Sequence, residues 1–392
     1  MFTITALLVF FEYVITYIKK KSIYILSRKE YFPSISIDNL KKYRSFDPYL
    51  GWTNKENSTK VDFSQNKTIE YKFNSSGSRD LEVYFKNNSF VSTYGDSYCM
   101  SREVENKKTW QFFLSKNLNS GVSNYGVGNY GFDQSLLRLK KKFDLNPSSI
   151  VIMAITPYTI NRITSVWKHF HEFNNILAAK PRFIIENNKL KFVPNFINNK
   201  NDFLNIKKFK NFIIENDYHV FRFQKFIYDF PNLFSFLRNP IPIFKTLYFK
   251  FILITKKLNL NYLFSFFYLK FYNDEISYRK TVFKNNSDLL TLLIEDYVKF
   301  SKEKNFTPIL LLLPALEDVK YIKSSSDNYY NPYFNLGNKN LIFLDFLEVL
   351  IDRMDLEKLY VDEIFGGHYN QKGNELLAKY LQKKINEIKT DN

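Results

Sequence analysis

The sequence predicts an α/β fold: a layered domain on a parallel sheet, with a long insertion and an apolar N-terminal helix. Three observations carry that expectation. Five short runs read as strands, and those at 149–155 and 307–313 are apolar nearly throughout rather than alternating, which suits strands buried on both faces. Helical stretches lie between them, and strand–helix alternation implies parallel pairing through right-handed crossovers. One interval, residues 164–285, breaks the alternation and is too long for a loop.

The five runs are residues 90–95 (FVSTYG), 121–127 (GVSNYGV), 149–155 (SIVIMAI), 307–313 (TPILLLL) and 341–346 (LIFLDF). Between them, 133–143 reads as a helix with Asp133 at its N-cap. In 287–303, Leu289, Leu290, Leu293, Ile294 and Tyr297 share one helical face, and in 371–388 Leu377, Leu381, Ile385 and Ile388 do. Residues 22–86 read as polar and irregular, with turn signals at Asp47-Pro48 and Ser76-Gly77. The expected organisation is an N-terminal hydrophobic helix (1–21), an irregular extension (22–86), a first α/β part (87–163), an insertion (164–285) and a second α/β part (286–392).

Composition narrows the function classes. At 392 residues and 45% apolar content the chain can bury a sizeable core. One cysteine, Cys99, excludes a disulfide scaffold and a cysteine-rich metal site. His169 and His171 are two residues apart, which puts them on opposite sides of a helix and argues against a shared metal ion. No metal and no cofactor is expected. The net charge of +17 favours anionic partners, although the abundance of lysine, asparagine, isoleucine, phenylalanine and tyrosine also fits A/T-rich codon usage. Nucleic acid is not expected as a partner, since no nucleic-acid motif is present.

Two stretches suit a membrane surface. Residues 2–18 are apolar apart from three threonines and Glu12, and Lys19, Lys20 and Lys21 follow. Seventeen helical residues reach about 26 Å, the lower limit for crossing a bilayer. If the segment spans, the lysines place the body that follows on the cytoplasmic face. Residues 241–272 interleave lysines with aromatics and leucines, which suits amphipathic helices on a lipid surface, a greasy lid, or a packed helical subdomain. Residues 180–195 read as a hairpin turning at Asn187-Asn188.

Three local signals point to chemistry. Gly95-Asp96-Ser97 ends the first strand, where a serine is exposed at the carboxyl edge of an open sheet. His368 stands on a loop loosened by Gly366 and Gly367, just before the last helix. A serine nucleophile needs such a base within hydrogen-bond reach. After the second strand, the loop 124–131 has the glycines and helix-start amides that can bind an oxyanion. Trp52, Trp110 and Trp167 offer rings for stacking on sugars, or for core packing.

Together these blocks resemble the SGNH (GDSL-type) hydrolase superfamily over about residues 85–155 and 300–390. The likeness extends to its bacterial members associated with surface polysaccharides, through 47–52 (DPYLGW), 74–80 (NSSGSRD) and the 180–183 (KPRF) hairpin. The resemblance implies a three-layer α/β/α fold with a flavodoxin-like sheet. It implies an esterase or O-acyltransferase working on an acyl group, often acetyl, of an envelope polysaccharide or lipid-linked saccharide. Ser97 would be the nucleophile and His368 the base. The Ser97 N–H, Gly128 and Asn129 would serve as oxyanion groups, with Asn161 from the third block and Arg162 alternatively holding an acidic substrate.

The chain departs from the pattern in three places. Asn129 stands where glycine is usual. The third-block turn reads Ala154-Ile155-Thr156-Pro157 without its asparagine. Phe365 occupies the place of the acid three residues before the histidine. Asp362 is then the expected acid, Glu363 the second choice, and a bare serine–histidine dyad a further possibility. These departures also motivate an alternative reading, a catalytically inactive glycan-binding or scaffold protein.

Overall fold

The computed structural model describes residues 2–22, 25–43, 45–64, 67–81, 90–362 and 366–390. The chain divides into two compact units, one of Met1–Gly51, Thr164–Lys180 and Asn195–Asp274, the other of Trp52–Ile163, Pro181–Pro194 and Glu275–Asn392.

The second unit is built on a five-stranded sheet. Its strands are Val91–Gly95, Val122–Asn124, Ile150–Ile155, Thr307–Leu312 and Ile342–Asp345. Every pairing is parallel, and the serine strand Val91–Gly95 lies between Val122–Asn124 and Ile150–Ile155. Numbered along the chain the order is 2-1-3-4-5, the flavodoxin-like arrangement. Val91–Gly95 and Ile150–Ile155 are buried at every position. Both faces of these strands are therefore covered by helices, which is why Ile150–Ile155 is continuously apolar rather than alternating. In Val91–Gly95 the buried hydroxyls of Ser92 and Thr93 are hydrogen-bonded, to the Ser148 hydroxyl and the Ser123 carbonyl.

The covering helices come from both halves of the unit. Phe132–Lys142 packs on the Val91–Gly95 and Ile150–Ile155 strands. Its N-cap is Gly131, one residue before the helix and two before the expected Asp133. Trp110–Leu118 packs against the C-terminal helix Gln371–Thr390, and Asn374 Oδ1 accepts the Trp110 N–H at 3.2 Å. Asn261–Lys304 is two helices meeting at a non-helical Asn286. On the later one, Tyr297 donates its hydroxyl to the Val151 carbonyl at 2.8 Å.

The interval 22–86 is less irregular than its composition suggests. Ser58–Ser64 and Lys67–Phe73 form an antiparallel hairpin, with Ile69, Tyr71 and Phe73 buried on one face. Arg182–Glu186 pairs with Lys189–Val193 around Asn187 and Asn188, both at positive φ. That is the backbone a two-residue hairpin turn requires, and asparagine tolerates it.

The first unit is helical. Its main core gathers Trp167, Phe170, Phe203, Ile213 and Phe223 around Leu26 and Phe32. A smaller core joins Ile15 of the N-terminal helix Phe2–Lys20 to Ile25, Tyr228 and Ile243. No helix among the described residues is long and apolar enough to cross a membrane.

Candidate active site

The site grows from the end of the serine strand. Gly95 must be glycine, because a Cβ there would lie 1.7 Å from the Ala154 carbonyl oxygen of the neighbouring strand. That close approach lets the chain turn sharply into the short helix Ser97–Met100. Asp96 caps it, its Oδ1 accepting the Tyr98 N–H at 2.9 Å. Asp96 Oδ2, fully buried, accepts from the Thr156 N–H, the Thr156 hydroxyl and Arg162 Nη1 at 3.1, 2.9 and 2.9 Å. The serine turn is thus bolted to the segment that follows the third strand.

Ser97 Oγ lies 2.8 Å from His368 Nε2, across 271 residues of chain. Two features aim the imidazole. Gly366 and Gly367 both have positive φ, at 77° and 66°, and let the loop turn. Tyr98 donates its hydroxyl to the Gly367 carbonyl at 2.7 Å and places its ring 4.8 Å from that of His368.

The acid at the far side of the imidazole is Glu103. Its Oε2 lies 2.8 Å from His368 Nδ1 and also accepts the His368 backbone N–H at 3.0 Å. Burial of Glu103, which alone would raise its pKa, is outweighed by its side-chain hydrogen bond and charge interaction with His368. The carboxyl is held down at about 2. It is an anion at neutral pH, as the partner of an imidazole must be in order to fix the tautomer and stabilise the imidazolium.

This corrects the expectation of Asp362. That residue sits in a short antiparallel ladder, Tyr360–Asp362 with Gly366–Tyr369, where it is paired with Gly366. The ladder holds Asp362 in place while Glu103 takes the Nδ1 position. Glu363 and Phe365 lie outside the described residues.

Glu103 sits on a constrained segment. Ser101 and Glu103 adopt left-handed φ values of 55° and 71°, uncommon for residues with a Cβ. Arg79 holds the segment from below. All five of its guanidinium bonds are made: to the carbonyls of Met100, Ser101 and Val104, and twice to Asn106 Oδ1, at 2.7–3.0 Å. The hairpin holds it from the side. Tyr71 Oη accepts the Glu103 N–H at 3.0 Å, Ser64 Oγ donates to Glu103 Oε1 at 3.2 Å, and Asp62 accepts from Arg102 at 2.9 Å.

Loops after both neighbouring strands flank the serine, as expected at the switch point of an open sheet. On one side the Val127 N–H donates to the Gly95 carbonyl at 3.0 Å, and Gly128 and Asn129 follow. Trp52 Nε1 and Asn54 Nδ2 anchor this loop at the carbonyls of Gly128 and Gly126, each at 3.0 Å. Trp52 is thereby engaged as a loop anchor. A Cβ on Gly128 would meet nothing within 4 Å, so the loop borders open space there, and Asn129 takes a positive φ of 70°.

On the other side, Asn161 and Arg162 belong to the buried turn Thr159–Ile163. Arg162 corrects a second expectation. Its guanidinium is committed to Asp96 Oδ2 and the Tyr130 carbonyl at 2.9 and 3.0 Å, over the ring of Tyr158. It supports the serine turn rather than waiting for an acidic substrate. Cys99 is fully buried, and burial pushes its thiol pKa up, away from nucleophilic use.

The sequence reading missed Glu103 and the hairpin behind it. The hairpin had a signal, since Lys67–Phe73 alternates polar and apolar residues with a period of two. Glu103 had none, because its role depends on a left-handed backbone and on contacts from distant chain.

No family model matches the chain, and no curated protein matches it. Among solved structures, it is similar to a candidate lipolytic protein of the G-D-S-L family from Desulfitobacterium hafniense DCB-2. The identity is 12% and the TM-score 0.33, over 76% of this chain and 99% of that one. A likeness of that size carries no argument, so the reading of the site rests on its own geometry.

Proposed function

We propose that the chain is a serine esterase or O-acyltransferase of the GDSL (SGNH) type. One observation carries the reading: Ser97 Oγ, His368 and Glu103 form a continuous relay with both links at 2.8 Å. The relay stands at the carboxyl edge of a parallel sheet. A Ser–His–carboxylate arrangement of this geometry activates a hydroxyl for acyl transfer.

In the proposed reaction, Ser97 Oγ attacks an ester carbonyl carbon while His368 Nε2 takes the hydroxyl proton. Glu103 stays ionised and stabilises the resulting imidazolium. The tetrahedral oxyanion is received by the Ser97 N–H, with Gly128, Asn129 and Asn161 as further donors from the flanking loops. The carbon–oxygen bond to the alcohol then breaks, and His368 returns the proton to that alcohol. Water or a sugar hydroxyl, deprotonated by the same imidazole, releases the acyl group from Ser97. Hydrolysis and transfer differ only in which acceptor enters.

An acetylated envelope glycan is the proposed substrate class. Its support is the sequence resemblance, through the 47–52 and 74–80 segments that here anchor the oxyanion loop and the Glu103 segment. The alternative of an inactive glycan-binding relative loses one of its motives, because Glu103 fills the place that Phe365 and Asp362 leave.

A fluorophosphonate probe tests the reading. We expect it to label the wild-type protein at Ser97, and to lose labelling in Ser97→Ala and in His368→Ala. Absence of labelling in folded wild-type protein overturns the proposal.

A further inference from the structure

Water-soluble helices bury their apolar stripe and expose their polar one. Two helices of the Met1–Gly51, Thr164–Lys180, Asn195–Asp274 unit expose large apolar side chains and turn hydroxyls or a carboxylate inward beside a few buried apolar ones. In Phe2–Lys20, residues 3–11 are exposed at every position, and they include Leu7, Leu8, Phe10 and Phe11. The helix's one acid, Glu12, is turned inward. Its carboxylate accepts the backbone N–H groups of Asn232 and Leu233 at 2.9 and 2.7 Å, at the start of helix Asn232–Arg238. Thr16 follows it inward, 3.2 Å from Glu12 Oε1.

In Ile241–Lys257 the hydroxyls are again inside. Thr246 and Thr255 are buried and bond to Pro242 and Ile252 carbonyls at 2.8 and 2.7 Å. The outward row is Ile241, Phe244, Leu247, Phe251 and Ile254. Contact between this helix and Phe2–Lys20 makes the two one feature of the unit.

The charges have one sign. Between Asp229 and Asp274 the chain carries Arg238, Lys245, Lys250, Lys256, Lys257 and Lys270, and no acidic residue. A protein partner would cover one side of a helix. Residues 3–11, apolar but for Thr3 and Thr5, are exposed all round, and lipid is the surroundings in which such a helix is stable. Nine residues rise about 13 Å, roughly half of a hydrocarbon core of about 30 Å.

We propose that this unit docks on an anionic lipid bilayer. The first half of Phe2–Lys20 enters one leaflet without crossing it. The outward row of Ile241–Lys257 lies at the headgroup boundary, with the lysines on lipid phosphates. This proposal stands independently of the acyl-transfer reading.

The test uses the full chain and two vesicle types, phosphatidylglycerol mixed with phosphatidylcholine, and phosphatidylcholine alone. We expect co-sedimentation with the anionic vesicles and much weaker binding to the neutral ones. The double variants Leu7→Glu/Phe11→Glu and Ile241→Glu/Ile254→Glu replace side chains at least half exposed, so far-UV circular dichroism and melting should be unchanged. Each should lower the vesicle partition by about 100-fold or more, because two large apolar groups are lost from lipid. Failure of the wild-type chain to bind anionic vesicles overturns the proposal. So does a stable dimer in light scattering that both variants dissolve, since a second copy would then be what covers the face.

Discussion

The residue that decides the site is Glu103. If it orients and stabilises the His368 imidazolium, Glu103→Gln keeps the shape and removes the charge. We expect the rate of probe labelling or ester turnover to fall roughly 10³- to 10⁴-fold. Asp362→Asn should stay within about twofold of wild type, because both imidazole nitrogens of His368 are engaged, by Ser97 Oγ and Glu103 Oε2. The pair of variants separates the two acids directly. Equal losses in both would assign the role elsewhere.

The same carboxylate sets a pH dependence of stability. Its pKa falls from an ordinary 4.5 to about 2 on folding. The unfolded chain therefore takes up the proton first as pH drops. The stabilisation is fully present above about pH 4.5 and is lost as pH falls towards 2. We expect the melting temperature of wild type to exceed that of Glu103→Gln at pH 6 and the gap to close by about pH 2. Thermal melts of both proteins across that range check it.

At the scale of elements, the hairpin Ser58–Ser64 with Lys67–Phe73 acts as a bracket for the acid. Tyr71→Phe removes the acceptor of the Glu103 N–H and leaves the ring that packs under Arg79 at 4.7 Å. A single buried hydrogen bond is worth about 1 kcal/mol. We expect a destabilisation of that size in urea unfolding, a fall in kcat of about tenfold from misplacement of the acid, and an unchanged KM. An unchanged kcat would show that Arg79, Ser64 and the Asp62–Arg102 pair fix the segment without the Tyr71 hydroxyl. Arg79 itself is the stronger clamp, with five bonds and no exposure to water. Arg79→Met removes the Arg79 donor from the Ser101 and Val104 carbonyls and Asn106 Oδ1, and leaves the Met100 carbonyl to Asn124 Nδ2 at 3.3 Å. It should destabilise the protein by roughly 3–5 kcal/mol, measured by urea unfolding.

At the scale of the whole molecule, one kind of chemistry is proposed for each unit. The positive charge, +17 overall, acts over the surface and is screened by salt. The relay is short-range and largely buried, with Ser97 exposed at 6%. We expect vesicle binding to weaken as salt rises from about 0.05 to 0.5 M, while turnover of a small neutral ester changes less than about twofold. Parallel sedimentation and turnover assays read the two effects separately.

The sequence by itself determined the sheet, its five strands, and the pairing of Ser97 with His368 at one edge. The central strands are legible because a strand covered on both faces is mostly apolar, as in Ile150–Ile155. Ser97 and His368 are legible from the Gly95-Asp96-Ser97 and Gly366-Gly367-His368 blocks. A residue at such a strand's end has one place to go. The asparagine turn of the 182–193 hairpin was legible for a related reason: its backbone conformation restricts residue type locally. Glu103, Arg79 and the inward-turned Glu12 were decided only by the tertiary structure. Each is a charged residue whose role is set by partners distant along the chain, and for Glu103 also by a left-handed backbone those partners impose. Nothing in the local spacing of a carboxylate records which imidazole, amide or guanidinium the fold will bring to it.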